Sequence, residues 1–300
     1  MFGKLFGQSK PVGTRTRHAA RLPRVNLEKR FTIVAEVAGQ GSMSKVYRAL
    51  DNETGRTVCL KLQDREKTAA ALARSAQEGR PTEGEVGRTV VHPNVVRTFD
   101  FGETNRREYF VTMEFIDGLS LNYVRQSRPF DLAERLELLA QAAEGLAAVH
   151  AAGFIHHDVG PKNFLVDRED RVKLIDFGLA VPNTPAFHKP GNRTGTLQYM
   201  APELLRREPT DEKLDIFSFG ATAFELLTNR LPYDAPGANP MAQALARMNQ
   251  DPLDPARVNP RLPAALCDLL RKTLARRKAD RWPKMDTLPD ALRALVVSVG

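Results

Sequence analysis

Three hundred residues, 42% of them hydrophobic and 27% charged, suffice for a sizeable core and sit near the globular average. That balance excludes a collagen-like, coiled-coil or wholly disordered chain, and no apolar run reaches the roughly 18 residues a membrane helix needs. The formal charge of +8 suggests nucleic acid until it is located, because residues 1–30 hold eight Lys and Arg against one acid, Glu28. The other 270 residues together carry only +1. Residues 1–30 therefore read as a basic, disordered extension, with the globular part starting at Phe31. The arm's charge, with Phe2, Leu5 and Phe6, also suits an anionic surface or partner. Met1 to Lys10 lacks the apolar region of a secretory signal. Cys59 and Cys267 are spaced for neither zinc nor a disulfide framework, so the expected setting is the reducing cytoplasm.

Along the chain, Phe31 to Val37 alternates as a strand does, and Gly39-Gln40-Gly41-Ser42-Met43-Ser44 follows. Lys45 to Leu50 forms a second alternating run, and the turn Asp51 to Gly55 leads into a third, Arg56 to Leu62. The glycines thus join two strands instead of opening a helix, which sets this loop apart from a dinucleotide-binding turn. An Ala-rich helical stretch over 66–78 breaks at Gly79-Arg80-Pro81, and a short helix starts near Thr82. Beyond Gly118 the pattern is mostly helical. Asp131-Leu132-Ala133-Glu134 resembles a capping box ahead of an apolar-periodic run ending at Gly153. Strand-like Phe164 to Val166 and Val172 to Ile175 bracket a turn. Strands first and helices after predict an α+β fold in two lobes.

Three further stretches complete an ordered series: His156-His157-Asp158-Val159-Gly160-Pro161-Lys162-Asn163, Asp176-Phe177-Gly178, and Gly195-Thr196 through Ala201-Pro202-Glu203. With Gly39, Gly41, Val46 and the Lys61 of Val58-Cys59-Leu60-Lys61, the series resembles a eukaryotic-type (Hanks-type) serine/threonine protein kinase domain. The resemblance runs from about Phe31 to Leu295. It implies a small β-rich N-lobe with one regulatory helix over 31–113, a hinge at 114–119 and a larger helical C-lobe over 120–297.

The resemblance also implies site residues, and the chemistry explains their types. Phosphoryl transfer needs positioning and neutralisation of phosphate charge more than covalent help. Backbone N–H groups of Gly39, Gln40, Gly41, Ser42, Met43 and Ser44 would cover the phosphates of ATP. Lys61 would hold the α- and β-phosphates, aimed by a helix carboxylate; the family spacing selects Glu83, nine residues before His92-Pro93-Asn94, with Glu78 and Glu85 as rivals. Asn163 and Asp176 would bind Mg2+ through oxygen. Asp158 would accept the proton of the attacking hydroxyl, and the Thr196 hydroxyl would bridge to it. Met113 stands at the gatekeeper position, Glu114 and Ile116 would offer backbone groups to adenine, and Val46, Cys59 and Leu165 would sandwich the ring. Asp215 would brace the catalytic loop, and Glu203 would pair with Arg281. Gly195-Thr196, with no proline before Met200, favours protein substrates with Ser/Thr acceptors over tyrosine.

Four departures stand against this pattern. Ser44 replaces the third glycine of the flap. His157 stands where regulated kinases have Arg, so activity is not expected to depend on phosphorylated Thr184 or Thr194. Gly160 stands where Ser/Thr kinases carry a Lys, and Lys162, two residues on, is the expected replacement. Gly87 and Thr98 occupy places where larger apolar residues form an internal stack. Gly160 and that thin stack support the alternative of a pseudokinase, a nucleotide-binding scaffold or regulator.

Overall fold

The computed structural model describes residues 24–37, 44–64, 79–127, 129–190, 194–233 and 240–297. The arm over 1–23, the flap residues Gly39, Gln40, Gly41, Ser42 and Met43, and the helix expected over 66–78 lie outside the described residues.

Six strands form one sheet: β1 Arg24–Val25, β2 Phe31–Val37, β3 Ser44–Asp51, β4 Arg56–Gln63, β5 Thr98–Thr104 and β6 Tyr109–Glu114. Their spatial order is β1-β5-β6-β4-β3-β2, antiparallel except for the edge strand β1, which runs parallel to β5. The three alternating runs read from the sequence are thus β2, β3 and β4, hairpin-paired in register from Asp51 opposite Arg56 to Val46 opposite Lys61. One face buries Phe31, Ala49, Val58, Leu60 and Phe110. Helix α2 (Glu83–Thr89) lies on the other, its start fixed by a capping box between Thr82 and Glu85.

Residues 24–30, which the sequence assigns to the extension, carry secondary structure. Besides β1, helix α1 (Leu27–Arg30) is capped by Asn26, whose side chain accepts from Lys29 N–H. Arg30 is buried, donates to Asp100 at 2.7 Å and Asp51 at 3.4 Å, and sits over the Phe31 and Phe110 rings. Local charge density marks Arg30 as solvated; carboxylates 21 and 70 residues away bury it instead.

After β6 the chain crosses to β7 (Gly118–Ser120) and becomes helical: α3 Leu121–Ser127, α4 Leu132–Ala151, α5 Pro202–Arg206, α6 Lys213–Thr228, α7 Pro240–Asn249, α8 Pro255–Val258, α9 Ala264–Thr273 and α10 Leu288–Val297. Asp131 and Glu134 do make the reciprocal capping box of α4. Among α4 and α6 lies the main core, including Leu136, Leu139, Leu146, Phe217, Phe219 and Phe224. Short strands β8 (Phe154–Ile155), β9 (Phe164–Asp167), β10 (Val172–Leu174) and β11 (Val181–Pro182) carry the loops between the lobes. A β-rich lobe followed by a helical one is the α+β arrangement expected. No helix among the described residues is long and apolar enough to cross a membrane.

Candidate active site

Strand alternation sends Lys61 of β4 off the sheet toward α2, where its Nζ meets Glu83 Oε1 at 2.8 Å and Asp176 Oδ1 at 3.0 Å. Of the candidate acids among the described residues, Glu83 faces the lysine and Glu85 is occupied in the capping box; Glu78 lies outside the described residues. Burial disfavours the Lys61 ammonium, but the two carboxylates outweigh it and hold its pKa above the ordinary value. Burial raises Glu83 against the pull of Lys61. Asp176 goes the other way: desolvation is outweighed by Lys61 and the Gly178 N–H, which bring it down to about 2.

The second cluster is the loop between β8 and β9. Asp158 Oδ1 accepts from both Thr196 N–H and Thr196 Oγ1, each at 2.7 Å, so the expected Thr196 bridge is formed. Its Oδ2 accepts from Asn163 Nδ2 and stands opposite Lys162 Nζ, each at 3.0 Å. Asn163 Nδ2 also donates to the Asp158 carbonyl at 2.7 Å. This turns the amide so that its carbonyl oxygen receives no donor among the described residues. Beneath the loop, fully buried Asp215 accepts from His156 N–H at 2.7 Å, His157 N–H at 3.0 Å and His150 Nε2 at 2.9 Å. These contacts overcome burial and keep Asp215 below the usual carboxylate range. Such bracing matters because His157 is held at φ 67, a strained conformation for a side chain with a Cβ. Gly195 completes the contact: at φ 110, an added Cβ would meet the His157 carbonyl at 2.5 Å.

Between the clusters opens a cleft of about 200 Å³ lined by Ser44, Val46, Cys59, Lys61, Glu83, Met113, Glu114, Ile116, Lys162, Asn163, Leu165 and Asp176. Val37, Val96, Phe115 and Ile175 line it too and were not singled out by the sequence, where they read only as strand or core positions. Burial pushes the Cys59 thiol up to about 11, so it serves as an apolar wall. The Glu114 carboxylate is occupied by Lys173 Nζ and Arg97 N–H, both at 2.8 Å, and its own N–H by the Arg97 carbonyl at 2.9 Å. A wider hollow of about 960 Å³ beside Glu203, Arg271 and Lys278 contains none of these groups.

The departures also have places. An added Cβ at Gly160 would stand 3.2 Å from Tyr199 Cδ2, so the Tyr199 ring backs this position while Lys162 supplies the nearby cation. His157 is half-buried, its two ring nitrogens are buried and lack a hydrogen-bond partner among the described residues, and desolvation, ahead of the nearby charges, lowers its pKa. Gly87, Thr98, Phe177 and His156 do form one stack. A Cβ on Gly87 would meet Thr98 Oγ1 at 2.2 Å and Phe177 at 3.6 Å, and the Phe177 and His156 rings meet edge-on at 5.5 Å.

Residues 32–291 match the family model described as "Protein kinase domain". The chain is 33% identical over 248 residues to the serine/threonine-protein kinase PknD of Mycobacterium tuberculosis, covering 81% of this chain and 36% of that one. To the serine/threonine-protein kinase pkn2 of Myxococcus xanthus it is 33% identical over 275 residues, covering 89% of this chain and 32% of the relative. A second Myxococcus xanthus relative, pkn3, is 28% identical over 279 residues, 87% of this chain and 49% of that one. The chain thus spans from about a third to about a half of the length of these relatives. With a β-sheet lobe, a helical lobe and this cleft between them, the chain belongs to the protein kinase domain family.

Proposed function

We propose that this chain is an active serine/threonine protein kinase, moving the γ-phosphoryl group of ATP to Ser/Thr hydroxyls of proteins. The observation that carries the reading is the Asp158 carboxylate, held by Thr196, Asn163 and Lys162 beside a cleft whose other wall is the Lys61–Glu83–Asp176 cluster. Apolar Val46, Cys59 and Leu165 suit an adenine ring, and Glu114, with its side chain and N–H engaged, has its carbonyl to offer. The ionised Asp176 carboxylate and the unpaired Asn163 amide oxygen fit a hard divalent cation. Mg2+ bound there would neutralise charge on the phosphates.

In the proposed reaction Lys61 anchors the phosphates and Glu83 fixes its direction. Asp158 aligns the acceptor hydroxyl and takes its proton as the new O–P bond forms and ADP leaves. Thr196 keeps Asp158 from rotating, and Lys162 stands where charge builds on the transferred group. The test is transfer of labelled phosphate from Mg·ATP to a Ser/Thr protein mixture, with Asp176→Ala as control. Label on Ser/Thr that disappears in the control supports the kinase. ATP binding without transfer supports the pseudokinase, for which Gly160 and the thin Gly87–Thr98 stack are the specific observations.

Two predictions follow the departures. Lys162→Ala is expected to lower kcat by about 10²-fold with little change in KM, the loss typical of removing one transition-state donor. A kcat within twofold of the unsubstituted chain would reduce Lys162 to a solvated lysine. Phosphatase treatment is expected to leave the rate unchanged, because neutral His157, with its ring nitrogens buried, is a poor partner for phosphorylated Thr184 or Thr194. Activity that vanishes on dephosphorylation would defeat this.

A further inference from the structure

We propose that Gln63 is a positioning residue: its side-chain amide holds Glu83, and with it the first turn of α2, where Glu83 can aim Lys61. The catalytic consequence rests on the kinase reading above; the structural one rests on geometry alone.

Helix α2 is poorly equipped to hold itself in place. It has only seven residues, two of them glycines, and short helices are marginal without tertiary support. A Cβ on Gly84 would meet Phe101 Cγ at 2.3 Å, and one on Gly87 would meet Thr98 Oγ1 at 2.2 Å. The helix backbone therefore rests directly on the Phe101 and Thr98 side chains of β5, with no side chain of its own between at these two places. Val86 and Val90 provide its remaining buried apolar anchorage.

Polar contacts make up the difference, and Gln63 supplies the one nearest the chemistry. Its Nε2 donates to Glu83 Oε2 at 2.9 Å, while Lys61 Nζ holds Oε1 at 2.8 Å. Among the described residues no other side chain donates to Oε2. The Glu83 side chain is only 3% exposed, so losing Gln63 strips a buried carboxylate oxygen of its donor. The relief open to Glu83 is to swing toward water, which takes it off Lys61. Directly across the sheet from Gln63 stands Tyr109, whose hydroxyl accepts the otherwise unused Gly84 N–H at 3.3 Å. Facing residues on β4 and β6 thus grip adjacent residues of the same helical turn. Lys61 and Gln63 share one face of β4, so a single strand both presents the lysine and fixes its partner.

The test compares Gln63→Met, which keeps the length and loses the donor, with Gln63→His, which keeps an N–H. Steady-state transfer kinetics and amide hydrogen exchange of residues 83–89 are measured on each. For Gln63→Met we expect kcat about tenfold lower with KM for the protein substrate within twofold, the loss of a hydrogen bond to a charged group. Exchange over 83–89 should rise about tenfold while that over 132–151 stays as it was. Gln63→His should return both readings most of the way. Unchanged exchange over 83–89 in Gln63→Met, or a His variant as impaired as the Met variant, would overturn the proposal. If the unsubstituted chain transfers no phosphate, the kinase reading falls and the exchange comparison alone decides the clamp.

Discussion

Asp158→Asn is expected to reduce kcat by about 10²–10⁴-fold, the usual worth of a general base, while ATP still binds. The carboxylate receives only donors: Thr196 N–H and Oγ1 on Oδ1, Asn163 Nδ2 and Lys162 Nζ on Oδ2. An asparagine must put an NH₂ against one of these pairs, whichever way it turns. The substitution therefore removes the proton acceptor and also sets donor against donor in a buried place. Because it disturbs the loop, melting temperature and ATP affinity must be measured beside the rate. A folded, ATP-binding variant with kcat within fivefold of the parent would exclude Asp158 as the base.

Arg281→Met is expected to destabilise the fold by about 3–5 kcal/mol, because it leaves a buried carboxylate without its counter-charge. Arg281 meets Glu203 through two parallel contacts, each 2.6 Å, and the two side chains are 0% and 5% exposed. Its remaining N–H groups reach the carbonyls of Lys213 and Ala275 at 2.9 Å and of Arg276 at 3.3 Å, and its guanidinium lies over the Phe217 ring at 4.9 Å. The pair thus ties α5, at the end of the segment carrying Thr196, to α6 and to the turn after α9. Adding Glu203→Leu to Arg281→Met should recover part of the loss, since the orphaned charge is then gone. Urea unfolding reads both. A single-variant loss below about 1 kcal/mol would show that the site relaxes or admits water.

The strands and helices were readable because their signals are local. Alternation in Phe31–Val37 and the Asp131/Glu134 cap need only neighbours a few residues apart, and β2 and the start of α4 lie where these predict. The proposed site residues were readable for another reason: the kinase-family motifs restrict residue type at the positions of Lys61, Asp158, Asn163 and Asp176, so the ordered series stands out in the sequence. Arg30 shows the limit. Its neighbours are basic and polar, and nothing nearby reports that Asp51 and Asp100 will surround it. Gln63 was missed similarly, since a glutamine in a strand reads as a solvated position until α2 is laid over it. His157 is the converse, a polar side chain whose ring nitrogens are buried without a partner among the described residues, which no local pattern announces.

By itself the sequence determined the family, the order of sheet and helical lobes, and the residue types that could carry the chemistry. Only the tertiary structure decided between Glu83 and Glu85, because that choice depends on which face of a short, glycine-containing helix meets β4. It alone set the Tyr199 ring behind Gly160 and fixed how closely the Gly87 backbone meets Thr98. Each of these contacts joins residues whose separation in space is fixed by packing between elements, and local sequence carries no record of that distance.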